Sequence, residues 1–137
     1  MKLNNILFII ISILLISSFT GATTVGEEDD EIKAIGNIVL DNVLYGINKK
    51  DYEIYSKDFD LELIEAIPEE KFKIIVKQMN NFIGNHKKRT FLGFINKKNV
   101  TIILWKAKYD KTTEDILIRL VISKEEDKYL IKGILFQ

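Results

Sequence analysis

The sequence contains no cysteine, one proline and one histidine among its 137 residues. Without cysteine the chain forms no disulfide bond and offers no thiolate as a nucleophile or metal ligand. One histidine cannot supply a pair of imidazole ligands. A Ser-His-acid triad is nearly excluded, because only Ser56 and Ser123 accompany His86 after the leader described below. We interpret His86, in the polar stretch NHKKR, as a solvated loop residue.

An excess of charge is also missing. Twenty Lys and Arg residues balance twenty Asp and Glu residues, so the formal net charge is +0. No global field attracts a nucleic acid or an anionic membrane, and we expect no nucleic-acid partner. The stretch DFDLE places three carboxylates close together, but a calcium loop beginning at Asp58 would have Leu63 where a glycine is required. We therefore expect no metal site and no cofactor.

The chain begins with a targeting pattern. Lys2 precedes an apolar run from Ile6 to Ile16 that only Ser12 interrupts, and the small residue Ala22 suits cleavage by a signal peptidase. The run is shorter than the roughly 20 residues that a membrane span requires. We predict a signal peptide over residues 1–22 and a secreted or extracytoplasmic protein. An uncleaved leader that anchors the protein to a membrane is the alternative.

The remainder divides into an acidic linker, residues 23–30, and one domain, residues 31–137. Apolar spacing predicts four helices: one over 30–48, two short ones that begin at Asp51 and Asp60, and one that starts at Pro68 and ends at Gly84. Beyond Gly84 the apolar period becomes two, which predicts strands near 88–95, 100–109, 114–123 and 128–136. Short polar turns join these strands, so they form an antiparallel meander. The fold class is α+β, with N-terminal helices packed on one face of a curved four-stranded, cone-like sheet.

Both faces of this sheet are apolar. Pairing Asn96 with Asn99, Tyr109 with Glu114, and Ser123 with Lys128 sorts the side chains onto two faces. The face expected beneath the helices carries no charge and consists of Leu92, Phe94, Ile103, Trp105, Ala107, Ile116, Ile118, Leu120, Ile122, Tyr129, Ile131 and Leu135. The opposite face carries Phe91, Ile95, Ile102, Leu104, Leu117, Val121, Leu130, Ile134 and Phe136, together with Lys106, Arg119 and Lys132.

An apolar face of that size is unusual on a soluble monomer. All predicted helices precede the sheet, so we expect a second copy of the chain to cover the outer face about a twofold axis. The interface candidates are Phe91, Ile102, Leu104, Lys106, Leu117, Arg119, Lys132 and Ile134. Two alternatives remain open: helices that wrap both faces, or a patch left partly wet beneath Lys and Arg side chains.

Four pieces of the sequence resemble a known superfamily: GINKKDYEIYSKDFD, RTFLGF, LWKAKYD and YLIKGILF. Over residues 31–137 the chain is similar to the nuclear-transport-factor-like superfamily, which includes ketosteroid isomerase and SnoaL cyclases. Within it, the chain looks most like small secreted domains of unknown function. The resemblance implies a cone-shaped fold and, in many members, dimerisation through the exposed sheet face. None of the catalytic positions of the enzymes in the superfamily can be matched here.

A cone of this kind offers a cavity, and aromatic residues are the candidates to line it: Tyr45, Tyr55, Trp105 and Tyr109. An isomerase-like site would need Asp58 or Asp60 as a base beside a buried tyrosine hydroxyl. Packed core is the competing interpretation for the aromatic residues. Asn99, in the pattern NVT, is a candidate glycosylation site. We therefore expect a secreted, non-catalytic binding domain that acts on a small apolar ligand or a protein partner, with an isomerase-like or cyclase-like enzyme as the alternative.

Overall fold

The computed structural model describes residues 21–137. Nearly all of the predicted signal peptide, residues 1–22, lies outside the described residues. The helices are α1 (Asp29–Lys49), α2 (Tyr52–Tyr55), α3 (Leu61–Ala66) and α4 (Glu69–Phe82). The strands are β1 (Ala22–Thr23), β2 (His86–Asn96), β3 (Thr101–Tyr109), β4 (Ile116–Glu125) and β5 (Lys128–Phe136).

The helices begin and end where the local chemistry predicts. The side chains of Asp51 and Asp60 accept hydrogen bonds from backbone N–H groups of α2 and α3, which caps both short helices. Pro68 immediately precedes α4, and Gly84 follows it with a φ of +82°, the left-handed conformation that glycine adopts at little cost. These signals place the four helices within a few residues of their predicted positions.

The strands form an antiparallel sheet that curls into a half-barrel, and the α+β prediction is confirmed. β2, β3, β4 and β5 are neighbours in chain order, as in the predicted meander. The short β1 was not predicted. It pairs with Lys124 and Glu125 of β4, which β5 contacts from its other side, so β1 lies beyond the end of β3.

The segment predicted as a linker belongs to the fold. Val25 is buried, and its backbone N–H donates to the hydroxyl of Thr101 over 3.0 Å. The side-chain amide of Asn96 donates to the carbonyl of Gly26 over 2.9 Å. Residues 23–30 contain four acidic residues and one apolar residue, so their composition predicts a linker. The packing of that one apolar residue could not be predicted from composition.

The predicted strand pairing is correct for one of three hairpins. β3 and β4 pair as predicted, with Trp105 opposite Ile118. In the first hairpin Asn96 pairs with Thr101, and the register shifts between Phe91 and Gly93. In the last hairpin Glu125 pairs with Lys128, and the register shifts where β5 accommodates Lys132. Each bulge moves every residue beyond it to the opposite face.

The predicted faces of β2 and β5 are therefore partly wrong. Phe91, Ile134 and Phe136 lie on the covered face, the side of the sheet against which the helices pack, and all three contact the core. Leu135 lies on the other side, here called the outer face, and Leu92 is the exposed extra residue of the bulge in β2. The assignments on β3 and β4 are confirmed, because neither strand contains a bulge in its pairing with the other.

Helix α1 packs across the middle of the covered face. Ile32, Val39, Leu40 and Val43 form its buried stripe. A Cβ atom at Gly36 would lie 2.8 Å from Ile103 and 3.0 Å from Trp105, so glycine permits the close approach of α1 to β3. This approach closes the space between α1 and the centre of the sheet.

Candidate functional site: a cavity at one end of the covered face

A cavity of about 370 Å³ lies at the end of the covered face where α1 and α4 terminate. Its wall is formed by the C-terminal halves of α1 and α4, the turn after α4, the start of β2 and the end of β3. The lining residues are Asp41, Leu44, Tyr45, Ile47, Asn48, Lys50, Val76, Met79, Asn80, Gly84, Asn85, His86 and Tyr109. The volume falls at the small end of the range typical of ligand pockets.

The cavity has an apolar side and a polar end. Leu44, Ile47, Val76 and Met79 supply the apolar side from the two helices. His86 and Tyr109 supply the polar end from two paired strands, because His86 lies directly opposite Tyr109 in the ladder. An apolar wall with a few convergent polar groups is the usual composition of a small-molecule site.

Tyr109 and His86 each bury a polar atom that has no partner in the protein. Tyr109 is only 5% exposed, and neither its hydroxyl nor Nε2 of His86 makes a hydrogen bond. The two rings pack edge to face with their centroids 5.5 Å apart. An unsatisfied buried polar group costs free energy, and native proteins contain few of them. Both atoms lie beneath the cavity wall and are a local cost to the stability of the protein.

Burial keeps both groups uncharged at neutral pH. Desolvation lowers the pKa of His86, the nearby Arg89 guanidinium lowers it further, and Asp41 opposes the shift. Desolvation also raises the pKa of Tyr109 well above its usual range, and Arg89 only partly offsets this. His86 and Tyr109 thus contribute a neutral imidazole and a neutral phenol to a cavity wall that also includes the charged residues Asp41 and Lys50.

A chain of hydrogen bonds connects the cavity wall to the centre of the covered face. Arg89 donates to Asp41 over 2.6 Å and to Asn37 over 3.2 Å. The same Asn37 oxygen accepts the indole N–H of Trp105 over 3.2 Å. Arg89 and Asp41 thus satisfy each other, and no unpaired cation faces His86 from the sheet.

The structure brings together only two of the four predicted cavity residues. Tyr45 and Tyr109 line the cavity. Tyr55 is buried between Phe59 and Phe72, with ring centroids 4.9 Å and 4.5 Å away. Trp105 is fully buried beneath α1. For Tyr55 and Trp105 the competing interpretation as packed core describes their positions.

The predicted carboxylate bases lie elsewhere. Asp58 accepts a hydrogen bond from the side chain of Asn42 over 3.1 Å. Asp60 caps α3 and binds Lys132 over 3.1 Å. Neither carboxylate lines the cavity. Neither Asp58 nor Asp60 can therefore serve as a base within this cavity, as the isomerase-like alternative would need.

The interpretation of His86 as a solvated loop residue is wrong. His86 begins β2, is half-buried and lines the cavity. Its neighbours in NHKKR are polar, so periodicity gave no reason to extend the strand to it. The one available signal was the strand partner: a histidine two residues before the predicted strand falls opposite the aromatic end of β3.

The outer face is less exposed than its composition suggests. Leu92 and Ile95, at the edge strand β2, are 54% and 47% exposed. Leu104, Leu117 and Leu130 are half-buried. Ile102, Val121 and Leu135 are buried although none of them joins the core that the helices complete. Neighbours on the same curled face therefore shield much of the apolar surface that was expected to need a lid.

The charges of the outer face are also arranged differently. Lys132 does not lie opposite Arg119. It binds Asp60 over 3.1 Å and Glu125 over 2.8 Å. Burial opposes its charge, but the hydrogen bonds that Lys132 donates to Glu125 and Asp60 outweigh burial and raise its pKa. Arg119 lies opposite Leu104 and Leu135, and Lys106 opposite Leu117. The predicted like-charge pair of Arg119 and Lys132 does not occur.

Three further findings concern the glycosylation candidate, metal binding and membrane-spanning helices. Asn99 lies in the turn between β2 and β3, as predicted for the glycosylation candidate. Within residues 21–137, no cluster of three or more metal-binding side chains occurs. No helix in the same range is long and apolar enough to cross a membrane.

No family model matches the chain, and no curated protein or solved structure does so either. What the protein binds is therefore inferred from the cavity and the sheet themselves.

Proposed function

We propose that this protein is a non-catalytic binding domain that holds a small molecule in the cavity between α1, α4 and the ends of β2 and β3. The observation that carries the proposal is the cavity of about 370 Å³ itself, with an apolar wall from α1 and α4 and polar side chains at its other end. Small-molecule sites commonly combine an apolar wall with a few polar groups in this way.

The mouth of the cavity allows a direct test. Asn80 lines the cavity and is exposed, whereas its neighbour Asn81 is equally exposed but lies outside it. Asn80→Trp should block entry, and Asn81→Trp is the matched control. Ligand-observed NMR of the full chain against a panel of small aromatic molecules measures binding. We expect at least one molecule to bind the wild type and Asn81→Trp, but not Asn80→Trp.

A wild type that binds nothing in the panel would reject the proposal. Binding that survives in Asn80→Trp would place the site elsewhere on the molecule.

We further propose that a second copy of the chain packs on the outer face. Support comes from the apolar side chains of Leu92, Ile95 and Leu104, which the helices leave uncovered. Phe91 and Ile134 no longer contribute, because both face the core. The extent of shielding on the curled face makes the expected interface smaller than the sequence suggested.

Sedimentation tests the dimer. Leu104→Glu places a carboxylate on the outer face, and Ile74→Glu, on an exposed position of α4, is the matched control. We expect a dimer for the wild type and Ile74→Glu, and a monomer for Leu104→Glu. A wild-type monomer at the highest concentration measured would reject the dimer.

An enzyme is the second candidate, because His86 is a neutral imidazole in the cavity wall, and an imidazole can act as a general base. Turnover of a bound molecule by the wild type, abolished in His86→Phe, would favour the enzyme. Binding without turnover favours the binding domain.

We also propose that the protein is secreted and that it belongs to the nuclear-transport-factor-like superfamily. The first is supported by the leader in residues 1–22 and the second by the four resembling sequence pieces.

A further inference from the structure

The charges of this protein are divided between its two layers. Residues 21–82, which contain the four helices, carry fourteen acidic and seven basic residues, whereas residues 83–137, which contain β2 to β5, carry twelve basic and six acidic residues. The helices pack against the covered face of the sheet. A formal net charge of +0 therefore conceals an acidic helical layer and a basic sheet.

The excess of basic residues is concentrated in the hairpin that β2 and β3 form. From His86 to Tyr109 this hairpin has seven basic residues and no acidic residue. Lys88 lies directly opposite Lys108 in the ladder, and both lie on the outer face because Ala107, the preceding residue of β3, belongs to the core. Like charges placed opposite each other on a sheet are unfavourable.

Two further cations continue this arrangement across the outer face. Lys106 lies two residues before Lys108 on β3, and Arg119 of β4 lies opposite Leu104, two residues before Lys106. We call Lys88, Lys108, Lys106 and Arg119 the basic row. From the usual strand spacing and rise per residue, the row extends about 10 Å across the strands and about 13 Å along them.

One acidic residue compensates part of this charge. Asp115, in the turn between β3 and β4, binds Lys108. The pKa of the exposed Asp115 carboxyl is lowered, chiefly by the hydrogen bond from Lys108 and further by the charge of Lys106. Within residues 21–137, no ion pair includes Lys88, Lys106 or Arg119. Three of the four cations are therefore available to an external anion.

The shape of the basic row favours a polymer over a membrane. The row crosses three strands of a curled sheet, so a flexible linear polyanion can follow it, whereas a flat bilayer meets a curled face along only part of its width. The apolar neighbours of the row, Leu117 and Leu135, are half-buried and buried, so neither side chain can insert into a bilayer.

The side chains near the basic row narrow the class of polymer. Proteins hold single-stranded nucleic acids with aromatic side chains on which the bases stack. The aromatic residues of this hairpin all contact the core instead: Phe91, Phe94, Trp105 and Tyr109. Three of the four cations in the row are lysines, whose flexible stems adapt to anionic groups of variable spacing rather than to one planar geometry.

We infer that the basic row on the outer face binds a linear sulfated polysaccharide. This inference goes beyond the proposed cavity ligand. It also leaves room for the proposed second copy, because the exposed side chains of Leu92 and Ile95 lie towards the turn between β2 and β3, away from the basic row.

Heparin oligosaccharides, which are linear and sulfated, serve as the probe. Calorimetry measures the affinity of the full chain at several salt concentrations. The logarithm of the association constant for a linear polyanion falls linearly with the logarithm of the salt concentration, with a slope set by the number of cations in contact. Lys88→Gln/Lys106→Gln removes two of these cations and should weaken binding about tenfold at low salt and reduce the slope by roughly 1 to 2.

The matched control is Lys33→Gln/Lys77→Gln, which removes two exposed lysines from α1 and α4. It changes the net charge by the same amount but leaves the basic row intact. We expect this variant to keep the wild-type slope and to bind heparin within about twofold of the wild type, because exposed substitutions seldom disturb a fold.

Equal losses in the two double variants, or no binding of heparin by the wild type at low salt, would overturn the inference. If Lys88→Gln/Lys106→Gln weakened the binding of an oligothymidylate or of anionic phospholipid vesicles more than that of heparin, the row would belong to a nucleic acid or a membrane and the inference would be wrong. None of these outcomes bears on the cavity, which Asn80→Trp tests separately.

Discussion

Trp105 and Tyr109 are large aromatic residues on the same face of one strand, yet their surroundings differ. Trp105 is fully buried beneath α1, and Asn37 accepts its indole N–H. Tyr109, four residues later, is nearly as buried, but its hydroxyl has no partner and the residue lines a cavity. The covered face therefore has a sealed middle, around Trp105, and an open end, around Tyr109.

The difference follows from where α1 can approach the sheet. Gly36 brings the helix against Ile103 and Trp105, whereas Gly46, near the C-terminal end of α1, lies against α2. The middle supplies stability through dense packing, and the end keeps unfilled volume and unpaired polar atoms. Lower stability at the open end than in the middle is consistent with a binding function at the open end.

The largest effect should come from truncating the sealed middle. Leu120→Ala, at a fully buried position of β4, should lower the free energy of unfolding by about 3 kcal/mol. Leu44→Ala, at a half-buried cavity position of α1, should cost about 1 kcal/mol, because it enlarges an existing cavity and alanine favours the helix. Urea denaturation followed by Trp105 fluorescence measures both. Equal costs would contradict the division of this face into two regions.

The sequence predicted the sealed middle better than the open end. Unbroken alternation on β3 and β4 assigned Trp105, Ile118 and Leu120 to the correct face, because buried positions recur at every second residue. The bulges near Leu92 and Lys132 could not be predicted, since alternation carries no record of an inserted residue.

The sequence predicted only some of the residues at the open end. Tyr109 was expected to line a cavity and does so, but His86 was dismissed because its neighbours in sequence are charged. Its role depends on lying opposite Tyr109 and under the end of α4, which is a tertiary relationship. Neither composition nor period could reveal that two polar atoms would be left without partners.

A smaller effect on stability should follow from removing a polar side chain that hydrogen-bonds in the middle of the covered face. Asn37→Ala removes the acceptor shared by Trp105 and Arg89 and should destabilise the protein by about 2 kcal/mol. Asn48→Ala, on the same helix at the exposed rim of the cavity, should change stability by less than about 0.5 kcal/mol. Thermal and urea denaturation give the values. A neutral Asn37→Ala would show that the indole N–H finds another partner.

Two tyrosine substitutions should have opposite signs. Tyr109→Phe removes an unsatisfied buried hydroxyl and should raise the free energy of unfolding of the ligand-free protein by about 1 kcal/mol. Tyr52→Phe removes a hydroxyl that donates to the carbonyl of Ile67 over 2.6 Å and should lower it by about 1 kcal/mol. Chemical denaturation of the ligand-free proteins measures the difference in the free energy of unfolding. Loss of stability in Tyr109→Phe would mean that its hydroxyl is already satisfied.

The smallest effect concerns pH. The pKa of His86 is lower in the folded protein than its ordinary value of 6.5, so on acidification the unfolded chain binds a proton there before the folded chain does. Its contribution to stability is therefore complete above pH 6.5 and is lost as pH falls through that value towards the folded pKa.

Asp41, Arg89 and Tyr109 face His86 and remain present in His86→Phe. The stability of this variant should fall less steeply than that of the wild type between pH 7 and pH 5. Parallel pH profiles would show that His86 has the same proton affinity in both states.

The two-residue strand β1 gives the predicted processing step a structural consequence. Ala22 and Thr23 pair with Glu125 and Lys124 of β4, so hydrolysis after Ala22 would cut the chain inside this strand. The peptide nitrogen of Thr23 would become an α-amino group with an ordinary pKa of about 7.7–8.0. Maturation would thereby introduce a new titrating terminus at the edge of the sheet, and the amine could be labelled there to distinguish the processed chain from its precursor.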